Sequence, residues 1–259
     1  MSKKPIGIFD SGVGGTSIWK EINALLPNEN MLYLADSANA PYGPKGAKTI
    51  TNLSIKNTEY LRDQNCKIIV VACNTATTNA IEHLRNTYNI PFIGIEPAIK
   101  PAALQTKTNA IGILATQGTL SSALFSKTSG MFATKINIIE QVGEGIVDLI
   151  ESGNLHSTAM QDLLKQYLEP MLKANIDHLV LGCTHYPYLT PLLLKLLPPH
   201  VKIIDSGQAV ARQTKAILEQ NNLLNTSSTP GENQFFTNGN PEIMASLLNG
   251  NHAVNFLNF

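Results

Sequence analysis

Lys67-Ile-Ile-Val-Val-Ala-Cys73-Asn74-Thr75 decides the fold class. A continuous apolar, β-branched run of this length reads as a strand buried on both faces, as in a parallel sheet. It ends in a cysteine, and a helical pattern over 75–88 follows. Val180-Leu-Gly-Cys183-Thr184-His185 has the same plan. Further strands are expected at 6–9, 31–35, 91–95, 110–114, 136–139, 178–181 and 201–204. Helical patterns lie at 16–26, 47–64, 119–130, 143–152, 157–174, 188–197 and 207–222. Strand alternating with helix predicts an α/β fold with mostly parallel sheets.

The strand ends also repeat. Gly7-Ile-Phe-Asp10-Ser11-Gly12 and Gly112-Ile-Leu-Ala115-Thr116-Gln117 both leave an apolar strand for a small-residue turn, 105 residues apart. Cys73 and Cys183 close their strands 110 residues apart. The simplest account is two similar Rossmann-like lobes, each donating one cysteine to a cleft between them. Ligands of open parallel sheets bind beyond the carboxyl ends of strands, where all four turns lie. The expected division is 1–97 plus 207–259 for the first lobe and 98–206 for the second. The tail carries a strand candidate at 234–237 and a helix at 241–248, and is expected to pack back on the first lobe. Residues 226–231, Thr-Ser-Ser-Thr-Pro-Gly, read as a surface loop.

Composition narrows the function. Of 259 residues, 43% are apolar and 15% charged, so the chain is globular and sparing in charge. Nineteen Lys and Arg balance nineteen Asp and Glu, and the basic residues form no stripe, which argues against a nucleic-acid partner. No apolar run is long enough to cross a membrane. The apolar stretch near the N-terminus is cut short by Asp10, too early for a signal-peptide core. Three cysteines without a C-x-x-C pair form no disulfide framework. These features predict a soluble, reduced, cytoplasmic protein. The six histidines lack H-x-x-x-H spacing, so no metal is expected.

The chemistry gathers at the strand ends. A helix N-terminus and a nearby cation both favour a thiolate, and Cys73 and Cys183 each precede a turn into a helix. A lone free cysteine is most often small buried packing; two at equivalent positions point to function. His185 could move protons for Cys183. Cys66 has no such setting and reads as inert packing. Asp10 is followed by Ser11 and three glycines within residues 12–15, whose backbone N–H groups could face an anion. Gly12-x-Gly14-x-x-Ser17, with Asp36 downstream, approaches a dinucleotide fingerprint, but Ser17 replaces its last glycine and Asp10 would repel a pyrophosphate. Pro41-Tyr42-Gly43 is either an ordinary turn or a loop closing on substrate. Glu151, by position alone, is a solvated helix carboxylate.

Two single-proton groups facing one carbon suit racemisation, in which one thiolate abstracts while the opposite thiol donates. The carbanion-like transition state needs preorganised donors. Backbone N–H groups of residues 12–15 and the hydroxyls of Ser11, Thr75, Thr116 and Thr184 are of the right kind. A dicarboxylate-binding protein and a thiol redox protein are the rivals from other classes, beside a racemase for aspartate or another amino acid within the same class. The first would bind without exchanging the α-proton, and the second lacks a resolving cysteine nearby.

Asp10-Ser-Gly-Val-Gly-Gly15, Pro41-Tyr42-Gly43, Ala72-Cys73-Asn74-Thr75-Ala76 and Gly182-Cys183-Thr184-His185-Tyr186-Pro187 together resemble the signatures of the cofactor-independent glutamate racemases. The similarity spans nearly the whole chain and is weakest after about 220. It implies interconversion of L- and D-glutamate, supplying D-glutamate for peptidoglycan, with two α/β lobes and no pyridoxal phosphate. It implies that Cys73 takes the proton from D-glutamate and Cys183 from L-glutamate, assisted by Asp10 and His185. Substrate contacts would come from Asp10, Ser11, Tyr42, Gly43, Asn74, Thr75, Thr116, Thr184 and His185. Glu151 aligns with a family carboxylate, although Gly143-Glu144 and Asp148 depart from the pattern around it. A homodimer is compatible with this reading.

Overall fold

The computed structural model describes residues 3–259. Among the described residues, ten strands, all in parallel pairing, form two sheets. The first four are β1 (Ile6–Asp10), β2 (Met31–Ala35), β3 (Ile68–Val71) and β4 (Phe92–Gly94). Then come β5 (Ala110–Ala115), β6 (Asn137–Val142), β7 (His178–Gly182) and β8 (Lys202–Ile204), and finally β9 (Asn233–Thr237) and β10 (Val254–Phe256). One sheet runs β10-β9-β2-β1-β3-β4 and the other β6-β5-β7-β8. The chain thus builds two parallel-sheet α/β lobes.

The centre of each sheet is its most apolar part. β1, β3, β5 and β7 are buried along their whole length, as their unbroken apolar runs require. β1 lies between β2 and β3, and β5 lies between β6 and β7. Asp10, Cys73, Thr116 and Cys183 therefore leave the carboxyl ends of central strands.

The abundant asparagines mark many of the connections. Asn65, Asn109, Asn175, Asn222 and Asn249 all adopt the left-handed conformation in segments that follow helices. Asparagine tolerates that conformation better than other side chains with a Cβ, so it stops helices much as glycine does.

Some elements differ from expectation. The helix expected over 119–130 is two, Gln117–Leu120 and Ala123–Gly130, because the Ser122 hydroxyl accepts from Phe125 N and caps a second start. The helix expected from 143 begins at Ile146, after Gly145 takes a φ of 77°. The pattern over 188–197 opens as a 3-10 turn, Tyr186–Leu189, before Thr190–Leu196. Helix Ile99–Gln105 and strand β10 were not foreseen. Both are short, and too little periodicity fits in seven or three residues. No described helix is long and apolar enough to cross a membrane.

Candidate active site

Cys73 caps the helix Asn74–Thr87, its sulfur accepting from Ala76 N at 3.4 Å. The thiol donates to Ser11 Oγ at 3.6 Å. Burial, and then the neighbouring Asp10 charge, push its pKa up, so the thiol form is favoured here. Asp10 lies wholly buried at the end of β1. Its carboxylate accepts from Gly15 N at 2.8 Å and from the Thr184 hydroxyl at 3.4 Å. Burial pushes its pKa up to about 6, against the lowering effects of His185 and the Gly15 N–H.

Cys183 has a different support. His185 Nδ1 lies 3.6 Å from its sulfur, and the same ring's Nε2 lies 2.5 Å from Glu151 Oε1. Burial alone would lower the imidazole pKa. The hydrogen bonds to Cys183 and Glu151, and their charges, outweigh it and hold the ring well above its ordinary value. The result is a carboxylate–imidazolium–sulfur chain, with the cation beside Cys183. Gly14 N also approaches Nε2 at 3.2 Å, but the shorter contact to Glu151 makes Nε2 a donor. Glu151 further accepts from Val13 N at 2.7 Å and from Ser37 Oγ at 2.9 Å.

The glycines after Asp10 serve this packing. A Cβ on Gly12 would sit 1.9 Å from Glu151 Oε1, and one on Gly14 would sit 2.2 Å from His185 Nδ1. Only glycine lets these side chains approach so closely. This corrects the expectation that the N–H groups of residues 12–15 face substrate. Val13 and Gly15 direct theirs at Glu151 and Asp10, and the Gly14 N–H lies against the His185 ring.

Both sulfurs line one small cavity, with Ser11, Pro41, Tyr42, Gly43, Asn74, Thr75, Thr116, Val147, Thr184 and His185 as its other walls. Asn74 is buried, and neither its amide oxygen nor its amide nitrogen has a partner among the described residues. That leaves both amide N–H donors and the carbonyl oxygen acceptor free for a ligand. Thr75 and Thr116 meet across the lobes, their hydroxyls 2.8 Å apart. The free volume is about 10 Å³, room for about one water. A wider cavity of about 430 Å³ adjoins it, sharing Pro41, Gly43, Thr116 and Val147.

The family model for Asp/Glu/hydantoin racemases matches residues 6–214, which include every residue lining the small cavity. The chain belongs to that family. Among members of known sequence it is 43% identical to the glutamate racemase of Herpetosiphon aurantiacus, over 95% of this chain and 97% of that one. A glutamate racemase isoform from Bacillus anthracis superposes with a TM-score of 0.89 at 31% identity, covering 100% of this chain and 99% of that one. The Escherichia coli glutamate racemase, solved with L-glutamate and the activator UDP-MurNAc-Ala, gives a TM-score of 0.87 at 33% identity, with 98% of each chain covered.

Most of the residues singled out by the family resemblance converge here, though not all touch the cavity. Asp10 and Glu151 stand behind its wall and act on Thr184 and His185. Glu151 is thus no solvated helix carboxylate. Tyr42 contributes a wall, but its hydroxyl turns away, donating to Asp36 Oδ2 at 2.6 Å and accepting from Asn57 Nδ2 at 3.2 Å. Tyr42 therefore fixes the loop, and its hydroxyl is committed elsewhere. Cys66 is buried outside the site, and burial raises its pKa to about 12. Glu144 and Asp148 line the wider cavity and are solvent-exposed. Two residues escaped the sequence reading. Val147 lies four before Glu151, so helical spacing could have found it. Ser37 carried no local signal.

Proposed function

We propose that the chain interconverts L- and D-glutamate by proton transfer between Cys73 and Cys183, without pyridoxal phosphate, and supplies D-glutamate for peptidoglycan. One observation carries the reading: the ends of two central strands, one in each sheet, bring a buried thiol each to a single cavity. The 43% identity to a glutamate racemase over nearly the whole chain supports glutamate as substrate. A cytoplasmic location and the absence of a nucleic-acid partner go with this reading, as does a homodimer. So does the division into lobes at 1–97 plus 207–259 and 98–206.

The two supports suit different resting states. The cationic ring of His185 lies against the Cys183 sulfur, on the side where a proton acceptor is needed, while burial beside Asp10 favours the thiol form of Cys73. In that state Cys183 takes the α-proton of L-glutamate. The electron pair of the broken C–H bond stays on the α-carbon until it takes the Cys73 proton on the opposite face, giving D-glutamate. D-glutamate then meets the complementary state, and the reverse transfer restores the first. The cavity wall offers Asn74 and the hydroxyls of Ser11, Thr75, Thr116 and Thr184 to the substrate carboxylates and ammonium. Glutamate exceeds the free volume of this closed form, so the walls must part for entry. The wider cavity at Gly43 and Thr116 gives the route, and Glu144 and Asp148 at its mouth slightly oppose an anion.

A coupled assay for D-glutamate, with no cofactor added, tests the reading. Turnover of L-glutamate well above that of L-aspartate is the expected result. Preference for L-aspartate would move the substrate assignment, and binding of glutamate without α-proton exchange would make the protein a dicarboxylate binder.

A further inference from the structure

The family model stops at residue 214, yet the C-terminal segment reaches towards the site. Just beyond β9, Asn238 uses both ends of its side-chain amide. Its Nδ2 donates to Asp36 Oδ1 at 2.6 Å, and its Oδ1 accepts from Ala38 N at 2.8 Å. These contacts hold the N-cap and the middle of the 3-10 turn Ser37–Asn39. Gly239 follows so closely that a Cβ on it would lie 2.6 Å from the Ser37 Cβ. Ser37 in turn donates to Glu151 Oε2, and Glu151 holds His185 beside Cys183.

Asp36 is the other anchor of the turn. Its buried carboxylate also accepts from Asn39 Nδ2 at 2.8 Å and from the Tyr42 hydroxyl, with the Lys56 ammonium 3.7 Å away. The Lys56 ammonium donates to the Phe259 carbonyl. The C-terminal segment thus meets residues 36–38 through Asn238, Gly239 and, by way of Lys56, Phe259, while Ser37 meets Glu151 and Tyr42 and Gly43 line the cavity.

We propose that Asn238 is a positioning residue for the racemisation, clamping the Ser37 turn so that Ser37 holds the Glu151 carboxylate in line with His185. The inference rests on the racemase reading above. Three hydrogen bonds link Ser37 to the sulfur and a further one links Asn238 to the turn, so the clamp acts on the proton-transfer step more than on substrate binding. Misplacing a reacting group by a fraction of an ångström is costly in rate.

The test is a double-mutant cycle between Asn238→Ala and Ser37→Ala, read as kcat and KM for glutamate beside the melting temperature. Each single change is expected to lower kcat about ten-fold with KM altered less than about two-fold. The double variant is expected to lose no more than either single, because the two side chains act through one path. Losses that multiply, or an Asn238→Ala variant that melts earlier but keeps its kcat, would overturn the clamp. Should Asn238→Ala fail to fold, Asn238→Ser replaces it under the same criterion. If the wild-type protein does not turn over glutamate, the racemase reading fails and the clamp fails with it. Multiplying losses in an active protein overturn the clamp alone.

Discussion

Replacing Cys73 or Cys183 with alanine is expected to abolish racemisation in both directions. Each direction needs one sulfur to take a proton and the other to give one, so neither half can proceed with a single thiol. General acid–base groups contribute about 10²–10⁴-fold each, and the lost rate should be at least of that order. Neither change should unfold the protein, because each removes one sulfur from the wall of an existing cavity. Cys66→Ala is the control. Cys66 packs under Gly7, where a Cβ would meet its sulfur at 2.9 Å, and its loss should cost about 1 kcal/mol of stability, the scale of one deleted buried heavy atom, with activity kept. Steady-state rates from L- and from D-glutamate, beside thermal melts, check all three variants. An alanine variant of either cavity cysteine that retains substantial activity would remove that thiol from the mechanism.

Asp10→Asn is expected to stabilise the protein while crippling it. Burial raises the Asp10 pKa to about 6, above that of an aspartate in an unfolded chain. The folded state therefore holds the proton to higher pH than the unfolded state does. Stability from this group is fully present below about pH 4 and is lost as the pH rises through about 6. Above that, the wild-type protein carries a buried carboxylate that asparagine does not. The gain should be on the order of 3 kcal/mol at pH 8 and should vanish by pH 4. Activity should fall by about 10²-fold, because the carboxylate that organises Thr184 and Gly15 and lies beside Cys73 is gone. Melting curves of both proteins across pH 4–8 check the sign. A variant less stable at pH 8 would mean that the hydrogen bonds of Asp10 outweigh its burial.

Asp10 and the two cysteines were legible because parallel sheets put their chemistry at strand ends, and the strands here are unbroken apolar runs. What each end would touch was not legible. The glycines after Asp10 suggested an anion cradle, whereas they admit Glu151 and His185 from the other lobe. A single sequence shows which backbone is bare but not which side chain comes to fill the space. Tyr42 illustrates the same limit: its motif marked a loop at the site, but only the fold shows that its hydroxyl serves Asp36. Ser37 and Asn238 lie about two hundred residues apart, and nothing local ties an asparagine after β9 to a turn after β2. The register of β9 beside β2 makes that link.

The central claim is that two thiols, each carrying a single proton, act on opposite faces of the α-carbon. Brief incubation of L-glutamate in deuterated water, with both enantiomers examined by mass spectrometry, tests it most directly. The proton taken by Cys183 stays on that sulfur, and the product receives its hydron from Cys73, already exchanged with solvent. At early times D-glutamate should carry deuterium at the α-carbon while the remaining L-glutamate stays almost unlabelled. Early deuterium in the remaining L-glutamate, or unlabelled D-glutamate, would show one group serving both faces and would contradict the account.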